Sequence, residues 1–308
     1  MSRGASDMLR RGFTLVELLV VIGIIAVLIS ILLPALTKAR RSAQQVLCTS
    51  NMRQMGVGLR MYTEANNSWL PAAGEDGDSS TTNAITLPDK QGWASEVLWI
   101  NAVSRATFGK TYDQIQLAAM AGGPRVPIYD DHHVLVCPMA IPAAGVASNP
   151  THDPVSGDYF LTWGNTNVGG TLVPSQRQTF ICYAWNYKLF GPTTGYGTMG
   201  KITQIRNASC TCVIFEKRTN AGEVTTDDDA YYASQGGGAN KVTPTQVGRF
   251  KGDWKRFSSR HNKGGNILFA DGHVALFTMH DVLTPGSALD MNKPATLIWS
   301  INGPATIP

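Results

Sequence analysis

The residue with the plainest chemical demand is Glu17, the one charge in an apolar run of about twenty positions between Phe13 and Pro34. A carboxylate at membrane depth costs about 3 kcal/mol and calls for a cationic partner. The preceding residues, Arg10-Arg11-Gly12-Phe13, suggest where one arises. Cleavage after Gly12 would free an amine on Phe13, a little over one helical turn from Glu17, able to neutralise the carboxylate within or between chains. A second group is His261 with Asp271, Gly272 and His273. His261, Asp271 and His273 have the types of metal ligands, and His261 with Asp271 the types of an orienting pair in catalysis. The plainer reading is structural, because Asp-Gly is turn chemistry and His261 can hydrogen-bond to the turn or to a neighbouring strand. The sequence places no nucleophile or third ligand nearby, so no catalytic residue and no metal ligand is assigned, and the chain is not expected to be an enzyme.

Other constellations are weaker. Asp227-Asp228-Asp229 offers the hard oxygens of a calcium site but lacks the alternating spacing of a calcium loop, so no cofactor is expected and calcium is kept as the alternative. His132-His133 follows Asp130-Asp131, yet adjacent side chains diverge on a strand. Cys48, Cys137, Cys182, Cys210 and Cys212 are odd in number and form no CxxC pair, so no zinc or thioredoxin-like motif is written. Burial as small hydrophobes is the favoured reading; an exported domain would permit one or two disulfides, whose pairing stays open. Trp163, Trp185, Tyr187, Tyr196, Tyr231 and Tyr232 lie in Gly- and Asn-rich stretches, where they serve equally as core or as a platform for sugars or partner proteins.

The elements that must position these residues follow from patterning. A secretory signal would carry a small-residue cleavage site after its apolar run, whereas Ser30 to Leu36 is a poor one and Pro34 interrupts it, so the segment is read as retained. Beyond Pro34, Cys48, Met52, Met55, Leu59 and Tyr62 recur as one apolar stripe, and Asn66-Asn67-Ser68 with Pro71 end it. The helix is therefore expected from Phe13 to Glu64, about 75 to 80 Å long. Gly56 and Gly58 inside it are read as close-packing positions against a sheet. A short helix is expected from Trp93 to Val103, strands at Val134–Cys137, Thr179–Trp185 and Thr211–Phe215, and a hairpin from Asn266 to Phe277 with a two-residue type I′ turn at Asp271-Gly272. Of the formal charge of +4, the leader's three arginines against one aspartate hold two, which leaves +2 after cleavage. That balance carries no nucleic-acid footprint.

The junction Gly12-Phe13-Thr14-Leu15-Val16-Glu17 resembles the class III leader of type IV pilins and type II secretion pseudopilins. The resemblance implies a membrane peptidase that cuts after Gly12 and methylates Phe13. It also implies a role for Glu17 in pairing with the amino terminus of a neighbouring subunit, and for Pro34 as the helix proline. His261, nine residues, then Asp271-Gly272 resembles the His-x9-Asp-Gly element (H-X9-DG) of prepilin-like proteins with enlarged carboxyl-terminal domains. Cys48-Thr49-Ser50-Asn51-Met52-Arg53-Gln54-Met55-Gly56 and Val136-Cys137-Pro138 resemble other stretches of that group. The implied fold is α+β, with the long helix packed on an antiparallel sheet bearing long loops. The implied organisation is a cleaved leader 1–12, a helix 13–64 whose 13–36 half serves the membrane and assembly and whose 37–64 half packs, and a globular domain 65–308. Implied partners are the prepilin peptidase, copies of itself and other pilin-like subunits, inner-membrane assembly machinery and the bilayer. The expected location is the inner membrane, single-pass, leader in the cytoplasm and globular domain outside. The expected role is a structural subunit of a pilus-like or pseudopilus filament; the alternative is an anchored binding protein that captures polysaccharide or secreted protein.

Overall fold

The computed structural model describes residues 15–72, 98–121, 124, 133–140, 160–168, 171–178, 182–186, 189, 200–217, 219, 251–252, 257–278, 282 and 297. Gly12, Phe13, Trp93, Asp130 to His132, Asp227 to Asp229, Tyr187, Tyr196, Tyr231 and Tyr232 lie outside the described residues. Two compact units are present, 1–44 and 45–308. Helix α1 (Leu15–Ala65) has 51 residues and contributes to both. At 1.5 Å per residue it is about 77 Å long.

In the first unit the leucine, isoleucine and valine side chains of α1 are exposed, from Leu15 at 77% to Leu36 at 67%. Pro34 lies inside the helix and has no N–H for the Ser30 carbonyl, yet the helix continues through it. The Ser30 hydroxyl donates to the Val27 carbonyl (2.7 Å) and that of Thr37 to Leu33 (2.9 Å), so small hydroxyls on both sides of the proline bond back to the helix.

In the second unit the same helix becomes one-sided. Cys48, Met52, Met55, Gly56, Gly58, Leu59 and Thr63 are buried, and Tyr62 is half-buried. The helix ends where Asn67 (φ 51°) and Ser68 (φ 66°) turn left-handed. The Ser68 N–H donates to Thr63 O at 2.8 Å, which satisfies a carbonyl of the last turn. Helices α2 (Trp99–Phe108) and α3 (Tyr112–Met120) follow, separated by Gly109 at φ 77°. The remaining elements are β1 (Phe160–Val168), β2 (Thr171–Gln178), β3 (Tyr183–Asn186), β4 (Cys212–Glu216), β5 (Lys251–Gly252), β6 (Gly264–Phe269) and β7 (Val274–Thr278).

Strands β1 and β2 pair as a separate antiparallel hairpin. Strands β3-β4-β6-β7 form an antiparallel sheet in that order, and the two-residue β5 runs parallel to β3 at its edge. Every residue of β3, β4 and β6 is buried. That explains why Cys212-Val213-Ile214-Phe215 is a continuous apolar run rather than an alternating one. The core joins Met52, Met55 and Leu59 to Trp99, Val103, Trp185, Ile214 and Leu268, with the Trp99 and Trp185 rings stacked at 6.1 Å. The fold is thus α+β: a long amino-terminal helix and an antiparallel sheet.

Both helical glycines sit where a side chain would collide. A Cβ on Gly56 would lie 2.8 Å from Leu268 Cδ1 of the sheet. One on Gly58 would lie 3.1 Å from the Val103 carbonyl oxygen, so this glycine serves contact with α2 and not with the sheet. Three expectations need correction. The short helix begins at Trp99, since Leu98 is extended, and runs past Val103 to Phe108. Val134–Cys137 is no strand; its backbone closes on itself through Val136 N to His133 O and Ala140 N to Cys137 O, both 2.9 Å. The connection at Asp271-Gly272 is longer than two residues, with β6 ending at Phe269, β7 starting at Val274, and Gly272 (φ 93°) but not Asp271 left-handed. The two-residue turn with both central residues at positive φ lies instead at Asn262 (φ 50°) and Lys263 (φ 67°). His261 and Gly264 close it by exchanging backbone hydrogen bonds of 2.8 and 3.0 Å.

Candidate functional site

The first unit presents Glu17 in the first turn of α1, exposed and followed by exposed apolar side chains. A carboxylate in the first helical turn is favoured by the helix dipole. Among the described residues α1 is the helix long and apolar enough to cross a membrane. Chemically this is an apolar helix surface with one acidic group near its start.

The second unit holds a buried polar cluster built from four separate pieces of chain. Cys48 comes from α1, Cys137 from the turn segment 133–140, Glu216 from the end of β4, and His261 from the tight turn that leads into β6. The left-handed turn at Asn262-Lys263 is what aims His261 inward, since it reverses the chain immediately after the imidazole. Cys48 and Cys137 form a disulfide across 89 residues of sequence, with Cα atoms 5.0 Å apart. The His261 Nε2 lies 3.4 Å from the Cys137 sulfur and 3.0 Å from Glu216 Oε2. Asn266, on β6, donates its backbone N–H to Glu216 Oε2 (2.9 Å) and its side-chain amide to Oε1 (3.2 Å). Thr49, beside the disulfide, donates to Asn266 Oδ1 at 3.2 Å.

Both Glu216 and His261 have fully buried side chains. Burial pushes the Glu216 carboxyl up, but the facing His261, their hydrogen bond, the Arg260 guanidinium and the Asn266 N–H outweigh it, and the net direction is down. Glu216 is therefore an anion in the core. Arg260 donates to Ser258 Oγ (2.7 Å) and to the Lys217 carbonyl, which holds its charge close by. Cys182 accepts the Cys137 N–H at 3.0 Å and lies against Leu135 O; burial raises its thiol to about 12, so it stays protonated. Cys212 is also a buried thiol, pushed up by burial, and Cys210 is half-buried.

The His-x9-Asp-Gly residues do not converge. His261 lies before β6 and Asp271 after it, at opposite ends of that strand. Asp271 Oδ1 accepts the His273 N–H at 3.0 Å and lies 2.6 Å from His273 Nδ1, while the His273 ring stacks on Phe269 at 4.3 Å. Asp271 and Gly272 thus shape a turn, and His261, Asp271 and His273 form no shared ligand set. His133 contacts Phe108 edge-on at 5.0 Å. Trp185 is core, 3% exposed.

Sequence reasoning missed Glu216 and the joining of Cys48 with Cys137. A usable signal existed for the glutamate: an apolar strand that ends in a carboxylate must supply a buried partner. For the cysteines, Cys48 stands on the buried stripe of α1 and Cys137 in the segment whose carbonyls Asn51 caps, with 2.9 Å to Val136 O and 3.2 Å to His133 O.

Residues 7–33 match the prokaryotic N-terminal methylation motif. Over 59 residues the chain is 42% identical to the type IV wide pilus major component PilA4 of Thermus thermophilus, a match that covers 19% of this chain and 45% of that protein. The chain thus spans about half the length of the curated relative it matches. No solved structure matches the chain.

Proposed function

We propose that this chain, a type IV pilin-like prepilin by its methylation motif and its pilin relative, is a structural subunit of a pilus-like or type II secretion pseudopilus filament. A prepilin peptidase cuts between Gly12 and Phe13 and methylates the new terminus. The subunit then rests in the inner membrane with α1 as its single span, leader side in the cytoplasm and residues 45–308 outside. Assembly machinery moves it into a bundle of like helices, where copies of this chain and other pilin-like subunits replace lipid around the apolar rod.

The observation that carries this reading is the combination, in one helix, of exposed apolar side chains with a single first-turn carboxylate inside the matched motif. An apolar helix alone needs only a bilayer. The carboxylate of Glu17 adds a directional demand, which the Phe13 amine of an adjacent subunit meets while fixing the stagger between helices. Pro34 suits the same role, since lipid and helix packing tolerate a missing backbone bond where nearby hydroxyls bond back. In cells carrying Glu17→Ala, processed subunit should accumulate in the membrane at normal levels while incorporation into sheared filaments is lost. Filaments that contain the variant at the parent level would overturn the proposal.

A further inference from the structure

The geometry points to a closed tetrahedral metal site, of the kind that takes zinc, formed by Cys48, Cys137, Glu216 and His261 whenever the two cysteines are thiols instead of a disulfide.

The four ligand atoms lie within 4.8 Å of one another and all four residues are buried. With Zn–S near 2.3 Å and Zn–N or Zn–O near 2.0 to 2.1 Å, a tetrahedral ion sets its ligands about 3.3 Å apart for N and O and about 3.5 Å apart for S and N. The imidazole and carboxylate stand 3.0 to 3.1 Å apart, and the Cys137 sulfur and imidazole 3.4 Å. The imidazole therefore already has the spacing of a coordination shell to both Glu216 and Cys137. The change required is separation of the two sulfurs to about 3.8 Å, the distance between thiolates on one zinc.

The surroundings match a site built to hold its ligands. Asn266 fixes both carboxylate oxygens of Glu216, and Thr49 fixes Asn266, an outer layer of the sort that orients metal ligands. A buried carboxylate facing a buried imidazole stabilises a core no better than an apolar pair of the same size, which argues for a use beyond packing. Cys182, the third sulfur nearby, accepts the Cys137 N–H at 3.0 Å and lies outside the four-residue cluster, so it belongs to the support of Cys137.

The disulfide and the metal are exclusive states of one cluster. On loading, each thiol gives its proton to solvent and its thiolate takes one position on the ion. On oxidation by a disulfide donor, two electrons pass to the donor, its sulfurs leave as two thiols by taking up two protons, the Cys48–Cys137 bond forms and the ion departs. Both sulfurs have 0% exposure, and exchange needs an approaching thiolate. The choice is therefore made as the domain folds, and either state then ties α1 to the 133–140 segment.

The test uses the full chain in detergent, prepared once under continuous reduction without oxygen and once after oxidation. Zinc is counted by plasma mass spectrometry after free metal is removed, and cobalt(II) replaces zinc for spectroscopy. About one zinc per reduced chain and none per oxidised chain is expected. The cobalt form should show thiolate charge transfer in the near ultraviolet and the intense visible bands of a tetrahedral ion. The double variant Cys48→Ser/Cys137→Ser should lose the charge-transfer band, Cys182→Ser should keep it, and Glu216→Gln should weaken zinc binding by about 10-fold or more. Reduced wild-type chain that is folded by circular dichroism yet retains no zinc would overturn the inference, as would weak octahedral cobalt bands without thiolate transitions. The wild-type cobalt spectrum decides the matter even if every variant misfolds, because it reports ligand type and geometry with no substitution.

Discussion

Glu17 and Glu216 are both carboxylates set among apolar residues, and the two regions deal with them in opposite ways. Glu17 stands exposed on the first turn of α1, so its chemistry faces outward, towards whatever surrounds the helix. Glu216 is enclosed by its own domain, with His261, Asn266 and Arg260 supplied from later in the chain. A charge exposed on a helix surface can be removed without disturbing a core; a charge enclosed by hydrogen bonds helps to fix the fold around it. Substitutions in the two regions should therefore separate cleanly in what they damage.

The largest expected effect is that of Glu17→Ala, which should remove filament incorporation by more than about 10-fold and leave unfolding of residues 45–308 within about 0.5 kcal/mol of the parent. A clear fall in domain stability would break the comparison from the first side. From the second side, Cys48→Ser should lower the stability of the oxidised chain by about 4 to 5 kcal/mol in denaturant titration, the chain-entropy value for a loop of this length. The membrane anchoring of that variant should be unchanged.

Next is Glu216→Ala, expected to cost about 3 kcal/mol because it strands the His261 imidazole and the Asn266 N–H in the core. The pH dependence follows from the direction of the shift. The folded-state pKa of Glu216 lies below its unfolded value, so its contribution is complete above about pH 4.3 and is lost as pH falls through the lower folded value. Unfolding titrations between about pH 5 and pH 2 should show stability dropping with acid, with a shallower drop in Glu216→Gln. An identical slope in the variant would remove Glu216 from the account.

The smallest effects come from the glycines. Gly58→Ala should destabilise by about 1 kcal/mol, since the added methyl meets the fixed Val103 carbonyl and Thr107 and the overpacking exceeds the gain in helix propensity. Gly56→Ala meets the tip of the movable Leu268 side chain, so its net change should be smaller. A reversed order would mean that the sheet contact is the stiffer of the two.

What could be read in advance divides along the same line. In α1 the information is contiguous: a junction, a charge and an apolar run all lie within about twenty-five residues, and periodicity beyond Pro34 picked out Cys48, Met52, Met55 and Leu59 as the buried stripe. In the second unit the relevant groups are far apart in sequence, and no local pattern couples Cys48 to Cys137 or Glu216 to His261. Turn chemistry also misled. Asp271-Gly272 has the favoured residues for a two-residue turn, but the four-residue connection there satisfies Asp271 through the His273 N–H. The tight turn fell on Asn262-Lys263, where a lysine takes positive φ because the exchange of backbone bonds between His261 and Gly264 closes the loop.

The central claim is that the chain is processed as a prepilin, and intact-mass and amino-terminal fragment spectrometry of the protein from its own membrane tests it most directly. The account predicts a mature chain that begins at Phe13 with one methyl group on its amine. A mature chain that keeps residues 1–12, or that begins beyond the apolar helix, would contradict it.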